Sequence, residues 1–446
     1  MSLKRCLKNL LILAMTVGAM CSCCSCAVNN KDDNTSPTVQ ETVSAIKREV
    51  KFDRKGRTKK VELVFSQKKT DEPDYNVCRE YNNFLHDTFS HTVLTKAMWM
   101  QMLLDKLGIE VLADTNGMYE KVYDKYFYDS SDVMITAIEN GLLYGDNFAF
   151  NNNAPATKQF VCASFVNSMD FEPFYTLYCN DYYDVDYKAE AATMVHLGYF
   201  ELDEDSCFNP DDLLCKETTD YLLTEIDTLS ILKGKTVLSF GDSIMYGDGN
   251  NGIGIAQLLS ERYGTTTIDY SKGGSTFGIA SGREQISDQI LRSIKNKDKA
   301  DIVLINGGTN DMRKVQCSEI SDDFEYKKHG REFFCNGMEY ALGLIKDNYK
   351  DTPILYIRAH NMEFSLERNE LHYGKKALDI CEKWKVDAVD IFNDTDMNTH
   401  DDDMKYKYTF HSRTCINGDS VHPNRMGYYK YYVPLTVEKI KGFFEE

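Results

Sequence analysis

Residues 235–249 read KTVLSFGDSIMYGDG, and the break at Gly241 decides how the second half of the chain is read. The run 235–240 is short and apolar, as a buried parallel strand is. It then stops in glycine, aspartate and serine. A serine at a strand tip is usually a turn residue and sometimes a nucleophile, so Ser243 is decided by what surrounds it. Downstream the pattern alternates. GIGIAQLLSERYG (252–264) predicts a helix closed by Gly264, and TTIDYSKGGSTFG (266–278) a strand followed by a glycine bend. REQISDQILRSIKN (283–296) is amphipathic, and DIVLINGGTND (301–311) is a further buried strand ending in glycines. TPILYIRAHN (352–361) and KVDAVDIFND (385–394) predict two more strands with helices between. Such alternation implies α/β architecture, a parallel sheet covered by helices on both faces. Ligands in such sheets bind beyond the carboxyl ends of the strands, where Ser243, Gly273 and Asn310 fall.

Ester hydrolysis at a serine needs a base to take its proton, a group to orient the base, and fixed donors for the developing oxyanion. GDSVHPN (418–424) offers Asp419 and His422 three residues apart, so one turn would bring both to the same side. Gly273 lets a backbone N–H approach closely, and Asn310 brings a neutral amide. Each has an ordinary explanation: a lone Gly-Asp-Ser is a turn, Asp-x-x-His occurs by chance, and Asn310 could cap a helix. Four such segments in order, each after a strand where one is required, are harder to explain separately.

Gly-Asp-Ser at 241–243, the bend at 273–274, Gly-Thr-Asn-Asp at 308–311 and Asp-x-x-His at 419–422 resemble the four blocks of the SGNH (GDSL-type) hydrolases. The resemblance implies a flavodoxin-like three-layer α/β/α domain over 231–446. It implies Ser243 as nucleophile, His422 as base and Asp419 as its partner. The oxyanion hole would be formed by Ser243, Asn310 and a glycine of the bend, Gly273 in preference to Gly274. Ser271 stands where many members carry asparagine. No metal or cofactor is required by this chemistry.

The remainder of the 446 residues sets the context. A formal charge of -18 argues against nucleic acid as a partner. MSLKRCLKNLLILAMTVGAM, with Lys4, Arg5 and Lys8 ahead of an apolar run, has the layout of a secretory signal over residues 1–26. CSCCSCAV, with cysteines at 21, 23, 24 and 26, resembles a bacterial lipoprotein signal; this implies an exported, lipid-anchored protein, with plain secretion as the alternative. Nine further cysteines are irregularly spaced and read as small buried hydrophobes, with a Cys207–Cys215 link open. Residues 27–70 read as a polar and basic linker.

Residues 71–230 read as a mainly helical repeat domain. FSHTVLTKAMWMQMLLDKLG (89–108), FNNNAPATKQFVCASFVNSM (150–169) and FNPDDLLCKETTDYLLTEID (208–227) share an aromatic, a turn and an amphipathic helix, opened at Thr95, Thr157 and Cys215. Gly141 and Gly198 predict helix stops before the second and third. The pattern resembles degenerate S-layer homology repeats, which implies cell-wall polysaccharide as partner; a structural spacer is the alternative. His91, His360 and His411 read as structural, and HDDDM (400–404) as a solvated loop. The expected function is an exported serine esterase deacylating, most simply deacetylating, a carbohydrate ester. A lipase or lysophospholipase, a sugar O-acyltransferase, and a surface-binding protein with an inactive hydrolase domain are the alternatives.

Overall fold

The computed structural model describes residues 45–52, 58–66, 94–111, 132–143, 154–169, 171–214, 216–363 and 367–445. The expected signal segment with its cysteines, His91 and Cys215 lie outside them. The first described element is an antiparallel hairpin of β1 (Ala45–Phe52) and β2 (Thr58–Ser66), with Ala45 opposite Ser66 and a register shift between Lys51 and Phe52. The sequence reading had an open linker here. The period-2 recurrence of Val61, Leu63 and Phe65 is a strand signal, obscured by the surrounding charge.

Among the described residues, five α-helices follow: α1 (Lys96–Lys106), α2 (Asp132–Glu139), α3 (Lys158–Met169), α4 (Lys188–His196) and α5 (Lys216–Leu232). They bury one shared core that includes Trp99, Leu103, Ile138, Phe165, Met194, Phe208 and Leu222. The first two of the segments read above as similar are joined to the next in matching ways. Thr95 bridges Pro155, Thr157 bridges Leu213, and the N–H groups of Lys96 and Lys158 donate to Ala154 and Asp212 carbonyls at 2.9 and 2.8 Å. Thr95 caps α1 by accepting from the Met98 N–H at 3.2 Å. Gly141 and Gly198 both take left-handed φ, +80° and +72°, and end their helices as the sequence predicts.

The second half holds a five-stranded, all-parallel sheet: β3 (Thr236–Phe240), β4 (Thr266–Asp269), β5 (Ile302–Asn306), β6 (Ile354–Arg358) and β7 (Asp387–Asp390). The spatial order β4-β3-β5-β6-β7 is the flavodoxin-like order, which places a crevice beyond the ends of β3 and β5. β5 and β6 are buried throughout, because helices cover both faces. One core packs Leu304, Leu355, Ile255, Tyr428 and Tyr432; the opposite one packs Val303, Ile305, Phe277, Ile290 and Met338. The covering helices include α6 (Ser243–Tyr246), α7 (Ile255–Tyr263), α8 (Ile286–Asn296), α9 (Asp311–Lys314), α10 (Phe334–Asn348) and α11 (Glu367–Trp384). β7 is shorter than the apolar run suggests: Asp390 accepts from the Asn393 N–H and turns Ile391–Asp394 into one helical turn, α12. The 400–404 segment is also structured. Asp401 accepts from the N–H groups of Asp403 and Met404 and caps α13 (Asp402–Tyr408).

Candidate active site

β3 ends at Phe240, and the chain turns so that Ser243 opens the single turn of α6. Asp242 makes that turn by accepting from the Ile244 N–H at 3.0 Å. Its carboxyl is wholly buried, and burial raises it to about 6 against the opposing pull of the Ile244 N–H, His422 and Thr309. Gly247 ends α6 with φ +87°, where an added Cβ would lie 2.4 Å from the backbone of Ile253 and Gly254. At Gly249 a Cβ would lie 2.8 Å from the His422 Cβ and 2.4 Å from the Pro423 carbonyl oxygen. Gly247 therefore lets this loop fold on itself, and Gly249 lets it close against the segment that carries the histidine.

That segment brings the two distant motifs together. Ser243 Oγ lies 2.9 Å from His422 Nε2. His422 Nδ1 contacts Asp419 Oδ2, while Asp419 Oδ1 accepts from the backbone N–H groups of His422 and Val421 at 2.8 and 3.0 Å. The aspartate thus holds both the ring and the turn beneath it. Between them Ser420 takes a left-handed φ of +66°. Two further bonds pin it there: Thr399 Oγ1 donates to its carbonyl at 2.8 Å, and its own Oγ donates to Glu363 at 2.9 Å. Burial disfavours the charged form of both partners. For His422 the Asp419 hydrogen bond and the Asp419, Asp242 and Asp248 charges outweigh burial and raise the pKa above the usual 6.5; for Asp419 the His422 contacts outweigh it and lower the pKa.

The turn that carries Asn310 is tied to the glycine bend. Asn310 Nδ2 donates to the Ser275 carbonyl at 3.1 Å, and its side chain does not cap α9. Asp311, fully buried, accepts from the N–H groups of Phe277 and Gly278 at 3.1 and 2.9 Å, which ties the Gly-Thr-Asn-Asp turn to the glycine bend. Burial lifts its carboxyl to about 7, against the pull of those two N–H groups. In the bend, a Cβ on Gly273 would fall 2.4 Å from an Asp248 carboxylate oxygen, and Gly274 has φ +82°. The backbone conformation favours glycine at 274, whereas at 273 a side chain would have to displace the Asp248 carboxylate. Ser271 is turned the other way, its N–H donating to Asp269 Oδ1 at 2.9 Å.

Gln289 escaped the sequence reading. It sits on α8, fully buried; its Oε1 accepts from the Gly241 N–H at 2.8 Å and its Nε2 donates to the Gly241 carbonyl at 2.9 Å and Ser275 Oγ at 3.0 Å. It stitches the Ser243 turn to the bend that carries Gly273. The available signal was one long polar side chain on the helix face that otherwise carries Ile286, Ile290 and Ser293. His360 is buried, with Nδ1 2.7 Å from Tyr432 Oη, and His411 contacts the Tyr406 carbonyl, so neither joins Ser243. Among the described residues, no three His, Cys, Asp or Glu side chains converge as ligands for a metal ion. No helix among them is long and apolar enough to cross a membrane.

Residues 239–430 match the GDSL-like Lipase/Acylhydrolase family. The C-terminal half of this chain is a GDSL-type hydrolase. Similar solved structures each cover about half of this chain. A Lactobacillus plantarum protein shares 19% identity over 48% of this chain and 97% of its own, with a TM-score of 0.38. The psychrotrophic esterase EstA from Pseudoalteromonas shares 17% over 48% of this chain and 100% of its own, with a TM-score of 0.32. An aryl esterase of M. smegmatis shares 14% over 47% and 100%, with a TM-score of 0.33. No curated protein matches the chain. The domain at 239–430 is of a family that hydrolyses ester bonds.

Proposed function

We propose that the GDSL-type domain is a serine esterase in which Ser243, His422 and Asp419 act as a triad. The supporting observation is the 2.9 Å contact between Ser243 Oγ and His422 Nε2, with Asp419 on the other ring nitrogen. With Nδ1–H donated to Asp419, the Nε2 lone pair faces the serine hydroxyl. Ser243 attacks the acyl carbonyl while His422 takes its proton, and Asp419 stabilises the resulting imidazolium. The backbone N–H groups of Ser243 and Gly273 and the amide of Asn310 receive the oxyanion. His422 then protonates the departing alcohol, and a water activated by the same ring releases the acid.

The substrate we propose is an O-acylated, most simply O-acetylated, carbohydrate met outside the cytoplasm. The basic and apolar start of the chain supports export, and the repeat pattern supports residence near a cell wall. A fluorophosphonate probe should label the peptide carrying Ser243, and S243A should lose both labelling and about 10⁴–10⁶-fold in turnover. An S243A protein that hydrolyses p-nitrophenyl acetate at the parent rate would overturn the triad. Rates that climb from acetyl to long-chain esters would instead point to a lipase.

A further inference from the structure

Two cysteines beside the active-site bend are placed to react with each other. Cys317 lies in the loop after α9 and is half-buried; Cys335 lies in the first turn of α10 and is buried. Their sulfurs are 3.6 Å apart. Hydrogen bonds on either side keep them together: the Phe334 N–H donates to the Gln316 carbonyl at 3.0 Å, and Ser318 Oγ donates to Asn336 Oδ1 at 2.9 Å. Residues 316, 317 and 318 therefore run alongside 334, 335 and 336 in step. Cys335 Sγ also donates to the Ser318 carbonyl at 2.9 Å. Both residues are free thiols here, as is Cys207.

We propose that Cys317 and Cys335 form a redox-active dithiol that an external disulfide oxidant converts into a structural disulfide. The half-buried Cys317 thiolate attacks the oxidant, forming a mixed disulfide and expelling one thiolate. Cys335 then attacks Cys317 Sγ, closing the internal bond and releasing the second half. Two protein thiols lose two electrons and two protons, and the oxidant leaves as two thiols. Burial holds both thiols above their usual pKa, so the uncatalysed reaction quickens as pH rises. The bond would close the loop that walls the bend. The Arg331 carbonyl accepts from the Ile279 N–H at 3.0 Å, and a Cβ on Gly278 would lie 2.9 Å from the Phe333 carbonyl carbon.

The test treats the folded full chain with glutathione disulfide and maps peptides without reduction. The expected product links the peptides of Cys317 and Cys335, about 2 Da lighter than the thiol pair, and resists maleimide until dithiothreitol is added. The oxidised chain should also unfold at a higher temperature than the reduced one, because the closed loop restricts the unfolded state. C317S, at the less buried position, should abolish the link and the oxidant-dependent shift, while C381S keeps both. Glutathione retained on Cys317, a link to any other cysteine, or both thiols still open to maleimide would overturn the proposal.

Discussion

At the residue scale, the pH response of His422 follows from its surroundings. The proposed base must be neutral, and its pKa is raised, so activity should fall as pH drops through an inflection above the ordinary histidine value of 6.5. The sign is fixed: acid removes activity because protonation fills Nε2. D419N removes the carboxylate that raises the pKa and holds Nδ1–H, so the acid limb should move to lower pH while turnover drops about 10³–10⁴-fold. A kcat/KM profile of both proteins checks this; an unmoved limb would separate Asp419 from the ring. Asn310 gives a second test. N310A should lower kcat by about 10²–10³-fold with little change in KM, since the oxyanion exists only after attack.

At the element scale, the arrangement rests on turns at strand ends, and these differ in how far the sequence reveals them. Gly241, Gly273, Asn310 and His422 were legible because each follows an apolar run or stands in a compact motif. The end of β7 was not, because Asp390 and Asn393 cut short an apolar pattern through a side-chain bond that periodicity does not register. Gln289 was hidden for a related reason: it is one polar residue on a helix whose register looks ordinary, and its partners lie in two loops far away in sequence. Its test belongs here as well. Q289L keeps similar bulk but strands the buried N–H of Gly241, at roughly 1–3 kcal/mol, while the Gly241 carbonyl keeps the Lys272 N–H at 3.1 Å. A urea midpoint shifted down, together with a slower enzyme, is the expected result. An unchanged midpoint would mean that Gly241 finds other partners.

At the scale of the whole molecule, the helical half is fastened to the hydrolase half through a buried arginine. Arg262 on α7, 2% exposed, donates to Glu225 on α5 at 2.9 Å and to the Leu197 carbonyl at 3.2 Å, and its guanidinium lies 3.9 Å from the centre of the Tyr199 ring. Tyr263 Oη donates to the same glutamate at 2.7 Å. Nearby, Arg425 Nε, three residues past His422, donates to the His196 carbonyl at 2.7 Å. Gly198 lets Tyr429 approach where a Cβ would fall 2.4 Å away. The helical half therefore grips the helix behind the Ser243 turn and the segment beyond His422. Removing one charge of the buried pair should cost far more than removing both. E225L leaves Arg262 without its anion and should destabilise by about 3–5 kcal/mol, whereas E225L combined with R262M should recover much of that loss. Denaturant unfolding of the parent, both single variants and the double variant closes the cycle. Additive losses would mean that the pair is not coupled, and that Leu197, Tyr199 and Tyr429 hold the two halves together by packing alone.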